Sequence, residues 1–253
     1  MRGFLAAACV AAPFASATQA QEGALTLGAG FHYSSGEYGT RETTRIASIA
    51  ANARYERGAW VYKATLPVIE IDGPSAVVPG FGPVRGGPSP SRRETGLGDL
   101  VISATHATYY DRASALGLDL TAKVKLPTAD ESKGLGTGEL DYAFLADVYK
   151  TMDRLTGFGG IGFHVLGDSP AFPLENAWSA NLGLTYKLDE RDSIGAMLEG
   201  RERVVSGGSP QRELTGFWMR RLDREWRAQA YALIGLADGS PDWGLGLSLA
   251  RPL

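Results

Sequence analysis

The sequence predicts an all-β protein, a transmembrane up-and-down antiparallel β-barrel of about twelve strands. Three observations carry this. Segments of alternating apolar and polar residues recur along the chain. Several are long enough to cross a bilayer at a tilt, which takes roughly 9 to 11 residues where an ordinary strand has about 5 to 6. The connections alternate between short charged turns and longer loops rich in Gly, Pro and Ser, the arrangement of barrels with turns on one side of a membrane and loops on the other. Finally, no stretch approaches the run of about 18 apolar residues that a spanning helix needs, so any membrane residence is as a barrel.

Residues Met1–Ala20, MRGFLAAACVAAPFASATQA, combine one basic residue, an apolar run from Phe4 to Ala12 and small residues ahead of Gln21. They are expected to be a secretory signal peptide cleaved after Ala20, with Ala17 the alternative, leaving the barrel over 21–253. Cys9, the only cysteine, lies in this leader, too early for a lipoprotein acylation site. The exported chain would then carry no thiol, in keeping with passage through an oxidising periplasm without disulfides.

Twelve strands are predicted at Ala24–Tyr33, Thr44–Tyr55, Trp60–Ile71, Gly98–Tyr110, Ala115–Leu126, Leu140–Thr151, Leu155–Leu166, Ala177–Leu188, Ile194–Val204, Glu213–Leu222, Trp226–Leu236 and Trp243–Leu249. The fifth is the most sharply patterned. Leu116, Leu118, Leu120, Ala122, Val124 and Leu126 share one face, with Gly117, Asp119, Thr121, Lys123 and Lys125 on the other. A one-residue slip would turn both lysines toward lipid, at ~2–4 kcal/mol each near the midplane, so the register is strongly pinned.

The short connections share a chemistry: Glu56-Arg57, Asp111-Arg112, Asp153-Arg154, Asp189-Glu190-Arg191 and Asp223-Arg224. An acid–arginine pair at every second connection is a concealed hairpin repeat, although any single turn favours Asp for its own reasons. The remaining connections are Ser34–Thr43, Asp72–Thr95, Thr128–Glu139, Gly167–Asn176, Val205–Arg212 and Ala237–Asp242. The second is so dense in Pro and Gly that it reads as loop throughout, able to fold over an opening. Both termini fall on the short-turn side, the periplasm.

Alternation also assigns faces. In the eighth segment Trp178, Ala180, Leu182, Leu184, Tyr186 and Leu188 point to lipid and Ser179, Asn181, Thr185 and Lys187 to the lumen. In the sixth, Tyr142, Phe144 and Val148 point out while Glu139, Asp141 and Asp147 point in; in the eleventh, Trp226, Ala228 and Ile234 point out while Arg227, Gln229 and Tyr231 point in. Trp60, Tyr62, Tyr142, Trp178, Tyr186, Trp226 and Trp243 sit near segment ends, as interfacial girdles do. The tenth segment, ELTGFWMRRL, fits neither phase.

The stretch Gly96–Asp141 resembles a known family, the outer-membrane transporters of the MetA pathway of phenol degradation. The resemblance rests on GLGDL at Gly96–Leu100, on Lys125-Leu126-Pro127-Thr128 closing a strand, and on Ser132-Lys133-Gly134-Leu135-Gly136-Thr137-Gly138 leading to Asp141. The chain departs from the pattern at Ala129, where glycine is usual, and in ending on Leu253 where such barrels finish on an aromatic residue. The resemblance implies a barrel that passes aromatic or other hydrophobic small molecules across the Gram-negative outer membrane. It implies no cofactor. The partners it implies are small hydrophobic or aromatic solutes, outer-membrane lipid and lipopolysaccharide, and the barrel-assembly machinery.

A net charge of −3 gives no reason to expect nucleic-acid binding. SKGLGTG lacks the spacing of a phosphate-binding loop. With only three histidines, His32 and His164 phased inward and His106 outward beside no serine, neither a nucleophile–base set nor a metal site can be assembled. The chain is therefore expected not to be an enzyme, with outer-membrane lipid modification the weakest alternative. The lumen candidates are Asp99, Asp119, Lys123, Lys125, Asp141, Lys187, Arg201 and Arg227, in a mixed-sign set that also holds Arg54, Lys63, Arg203, Glu139, Asp147 and Glu199. Asp99, Lys123, Lys125 and Asp141 are the constriction candidates, belonging to the most specific motif. Two readings stand: a charged constriction that selects solutes, or a paired network that fills the barrel. The expected function is a passive channel for small solutes, aromatic or hydrophobic ones included; the alternative is a non-conducting structural or adhesive barrel.

Overall fold

The computed structural model describes residues 23–40, 42–74, 77–83, 90–168 and 173–253; the expected signal peptide lies outside them. The elements are β1 (Ala24–Gly36), β2 (Thr44–Arg57), β3 (Trp60–Pro74), β4 (Val77–Val78), β5 (Gly82–Pro83), β6 (Ser91–Leu97), β7 (Leu100–Asp111), β8 (Leu116–Leu126), β9 (Asp141–Met152), β10 (Leu155–Val165), β11 (Ala177–Lys187), β12 (Asp192–Arg201), β13 (Gln211–Arg221), β14 (Arg227–Gly235) and β15 (Trp243–Pro252). Apart from β4 and β5, they form one antiparallel sheet in which successive strands pair, except that β6 and β7 both pair with β3. The sheet closes on itself where β15 returns to β1, from Thr26↔Pro252 to Ser35↔Trp243.

The barrel has twelve staves, because β6 and β7 share one. β7 pairs with the first half of β3 (Trp60↔His106 to Thr65↔Val101) and β6 with the second (Val68↔Leu97 to Pro74↔Ser91). The stave breaks at Gly98-Asp99, beside Pro67, which has no N–H for the ladder. Gly98 N donates instead to the Pro67 carbonyl at 2.8 Å. Glycine leaves room there for the side chains of Ile69 and Pro67, since a Cβ on Gly98 would lie 2.5 Å from Ile69 Cδ1 and 2.8 Å from Pro67 Cγ.

This corrects the expectation that Asp72–Thr95 is loop throughout. β3 runs on to Pro74, Val77–Val78 and Gly82–Pro83 form a small hairpin, and β6 begins at Ser91. Ser91-Arg92-Arg93-Glu94-Thr95 contains neither Gly nor Pro and so can be a strand, but what makes it one is the extended edge of β3, which gives it a ladder to join. Arg203, assigned to the lumen, instead follows the end of β12 and is exposed, 3.9 Å from Glu175.

The short turns explain the recurring acid. Asp189 Oδ1 accepts from the Arg191 and Asp192 amides at 2.6 and 2.8 Å, and Asp223 Oδ1 from those of Glu225 and Trp226, both at 2.7 Å. Asp111 does the same for Ala113 and Ser114. A side chain that satisfies the turn's own amides replaces the ladder where the chain reverses. One arginine of the repeat also serves the neighbouring turn: Arg154 Nη1 donates to the Leu188 carbonyl at 3.3 Å.

The outer wall is an apolar belt, with Phe144, Ile161, Leu182, Leu198 and Leu247 all exposed, and the seven girdle aromatics are exposed as well. β13, which fits neither phase by sequence, has Gln211, Glu213, Thr215 and Phe217 buried inside and Leu214 and Trp218 outside. Its pattern is blurred because Arg212, Gly216 and Arg220 share the outer face while Phe217 lies inward. Phe217 is accommodated by Gly195 directly opposite, where a Cβ would come within 2.2 Å of the ring. The same device recurs at Gly117 under Tyr149, Gly183 under Phe158 and Gly246 under Tyr231. Each glycine lets an aromatic ring lie flat against the inner wall rather than project across the lumen.

Candidate functional site

The lumen differs sharply between its two ends. Toward the short turns polar side chains alternate with aromatic rings such as Phe158 and Phe217 laid on the inner wall; toward the long loops it is filled. Two apolar clusters meet there. Ile46, Ile69 and Ile71 of the β2–β3 wall pack with Tyr38, Val77 and Leu135 from three different connections. On the other side, Leu166, Leu174, Ala177 and Val204 pack with Val78 and Phe81. The β4–β5 hairpin thus spans the mouth, Val77 facing one wall and Val78 and Phe81 the other. Burying several apolar side chains at ~1.5–3 kcal/mol each makes this a packed plug rather than a loosely draped loop. Burial pushes the Tyr38 hydroxyl well above the ordinary tyrosine range, against its hydrogen-bond contact with Ser34 Oγ at 3.2 Å.

Beneath the plug lies a buried ionic cluster. Lys125 Nζ, fully buried, sits 3.2 Å from Asp99 Oδ2 and 3.0 Å from Asp141 Oδ2, and donates to Thr137 Oγ1 at 2.9 Å. The outer oxygens of both carboxylates hold loops: Asp99 Oδ1 accepts from the Ala129 amide at 3.0 Å and Asp141 Oδ1 from the Gly167 amide at 2.9 Å. Glycines make this possible. A Cβ on Gly136 would lie 2.7 Å from Asp99 Oδ2, and Gly134 and Gly138 have positive φ of 60° and 72°. The GLGTG run is therefore a tight cap over the Asp99–Lys125–Asp141 cluster.

Phe81 sits between two cations. Its ring centroid is 5.4 Å from Lys125 Nζ and 5.8 Å from Arg201 Cζ, both within cation–π range. Arg201 is 7% exposed, and its Nη2 donates to the Gly80 carbonyl at 3.1 Å. Its Nε and Nη1 are buried with no hydrogen-bond partner among the described residues. A buried guanidinium with two donors unmatched among the described residues is unusual enough to need a reason.

Of the expected lumen residues, the structure brings together Asp99, Lys125 and Asp141, with Arg201 joined to them through Phe81. Asp119 stands elsewhere, half-buried and directly across from Asp147 on β9. Lys123 is half-buried one register step below Lys125. Lys187 and Arg227 are exposed at the short-turn rim. Sequence reasoning did not find Gly80 and Phe81, and held Thr137 only as part of the GLGTG motif. The signal for Phe81 was present: Val77, Val78 and Phe81 are apolar residues in a connection that should otherwise have been solvated. Among the described residues no group of three or more His, Cys, Asp or Glu could hold a metal ion.

No family model matches the chain, and no curated protein matches it. Solved structures do. A NanC porin aligns with a TM-score of 0.56 at 7% identity, over 90% of this chain and 100% of the other. A KdgM porin aligns with a TM-score of 0.52 at 8% identity, over 88% and 98%. A CymD monoaromatic hydrocarbon channel aligns with a TM-score of 0.50 at 8% identity, over 92% and 89%. At these identities the likeness is one of fold, a closed barrel of the porin type.

Proposed function

We propose that this chain is a passive channel of the Gram-negative outer membrane for small solutes, aromatic or hydrophobic ones among them. The observation that carries it is the closed ring of twelve staves, with an apolar belt outside and most of the buried polar and charged side chains within. Such a wall satisfies its whole backbone internally and is stable only with lipid around it. The channels and porins that share the fold support the reading; the aromatic or hydrophobic cargo rests on the motif resemblance of Gly96–Asp141, which speaks more for fold and location than for the solute. On it, Met1–Ala20 directs export, the short turns lie in the periplasm and the long loops outside. Lys123, Asp119, Lys187 and Arg227 line the accessible half of the lumen, while Asp99, Lys125, Asp141 and Arg201 underlie the plug.

Refolded protein in a planar bilayer tests this directly. Discrete conductance steps are expected, and their current should change on adding phenolic or aliphatic solutes if those are cargo. A correctly folded barrel that never conducts would overturn it. The filled mouth favours a second reading, a barrel that conducts nothing and serves a structural or adhesive role; absence of conductance even after removal of Val77–Pro83 would establish that one.

A further inference from the structure

We infer that Gly80 and Phe81 are an internal ligand: they occupy a solute-recognition site formed by Lys125 and Arg201, whose natural occupant is a small uncharged arene bearing a carbonyl group. The inference rests on the channel reading and adds to it a site, a ligand class and the step that opens the mouth. What the two plug residues present to the wall is an aromatic face with a carbonyl oxygen beside it. The face lies between the Lys125 ammonium and the Arg201 guanidinium, and the oxygen accepts from Arg201 Nη2. Arg201 has only donors. Its buried Nε and Nη1 remain without partners among the described residues, so the described part of the plug satisfies the guanidinium incompletely. An external carbonyl, not tethered by a backbone, could approach those donors more closely.

Charge decides which arene. Lys125 is flanked by Asp99 and Asp141. Two residues before Arg201 on the same inward face stands Glu199, directly opposite Glu213 on the next strand. With Lys123, two residues before Lys125 on the same inward face, four carboxylates stand against three cations, which leaves the site net negative and repels an arene carboxylate. The pair of cations retains its attraction for a neutral ring face, which acts through the quadrupole. A solute of this kind entering from the long-loop side competes with Phe81 for one place, and its binding withdraws the β4–β5 hairpin from between Val204 and Leu166 on one wall and Ile71 on the other.

The test is calorimetric titration of the refolded protein with acetophenone, benzoate and cyclohexyl methyl ketone, alongside bilayer conductance. Wild-type protein is expected to bind acetophenone more tightly than either control. Phe81→Ala should bind it about tenfold more tightly again, the gain from emptying a site that its internal occupant fills about nine-tenths of the time. Phe81→Leu, which keeps an apolar side chain in the cluster and loses only the ring, should do the same, so the result does not hang on one variant's folding. Adding Arg201→Lys to Phe81→Leu should abolish the gain. Equal binding of all three probes, or no tightening in either Phe81 variant, would overturn the inference. A protein that conducts and ignores acetophenone would overturn it while leaving the channel standing. Binding in the expected pattern without conductance in any variant would retain the site and overturn the channel.

Discussion

At the scale of single residues, Lys125 is the most consequential side chain in the molecule. It is fully buried between two carboxylates, each of which ties down a loop through its other oxygen. Removing one member of a buried ionic cluster leaves uncompensated charge, at a cost of ~3–5 kcal/mol. Lys125→Met is therefore expected to lower unfolding stability in urea by about that much. Combining it with Asp99→Asn and Asp141→Asn should restore a large part, because neutral amides no longer need the ammonium; additive losses would show that the charges are not coupled. The glycines under aromatic rings give a second prediction. A side chain at Gly246 would put its Cβ 2.4 Å from the ring of Tyr231, whose hydroxyl hydrogen-bonds His32 Nδ1 at 2.7 Å. Gly246→Val is expected to cost ~1–3 kcal/mol by overpacking, measured by the same titration, whereas valine at Gly157, which has open space around it, should be nearly neutral in packing.

At the scale of elements, the turns set the pH dependence. Asp189 and Asp223 each accept two backbone N–H bonds, which hold both carboxyls below the ordinary aspartate range. A group whose folded pKa lies below its unfolded one stabilises the fold above the unfolded value, ~3.9 for aspartate. That stabilisation is lost as the pH falls through the folded value. The short turns should thus be firm at neutral pH and loosen below about pH 4. Amide exchange at Arg191, Asp192, Glu225 and Trp226 should gain protection as pH rises through that window, after correction for intrinsic rates. In Asp189→Asn with Asp223→Asn the change should vanish. The alternation of turns and loops was legible in the sequence because each turn carries its own solution in two or three residues. Loop Asp72–Thr95 was misread for the complementary reason: β6 exists only because β3 offers an edge to it, and no residue within the loop records that edge.

At the scale of the whole molecule, the barrel's outer face is its claim on a membrane. Leu182, mid-strand in β11 and 68% exposed, stands where lipid would be thickest. Leu182→Arg is expected to lower the free energy of folding into bilayers by ~2–4 kcal/mol, while arginine at inward Asn181 should cost much less. Equal costs on the two faces would mean that the phases are wrongly assigned. Because β15 closes on β1, the ends of the chain depend on each other: Leu253 N donates to the Leu25 carbonyl at 2.7 Å beyond the last strand pair.

The closed barrel, its even number of staves, the inward and outward faces of most strands and the side bearing the long loops were all determined by the sequence itself. Each is written in local periodicity, since a strand with period 2 declares its two faces and a turn its own chemistry. The sequence also singled out Asp99, Lys125 and Asp141, through the motif that holds them, and left open whether such charges form a constriction or a paired network. Only the tertiary structure decided that these three are paired with one another beneath a plug. It alone showed that Phe81 is held between Lys125 and Arg201, 44 and 120 positions further along the chain. Those contacts join strands four staves apart through a loop between them, and no periodicity within one segment carries information across the lumen.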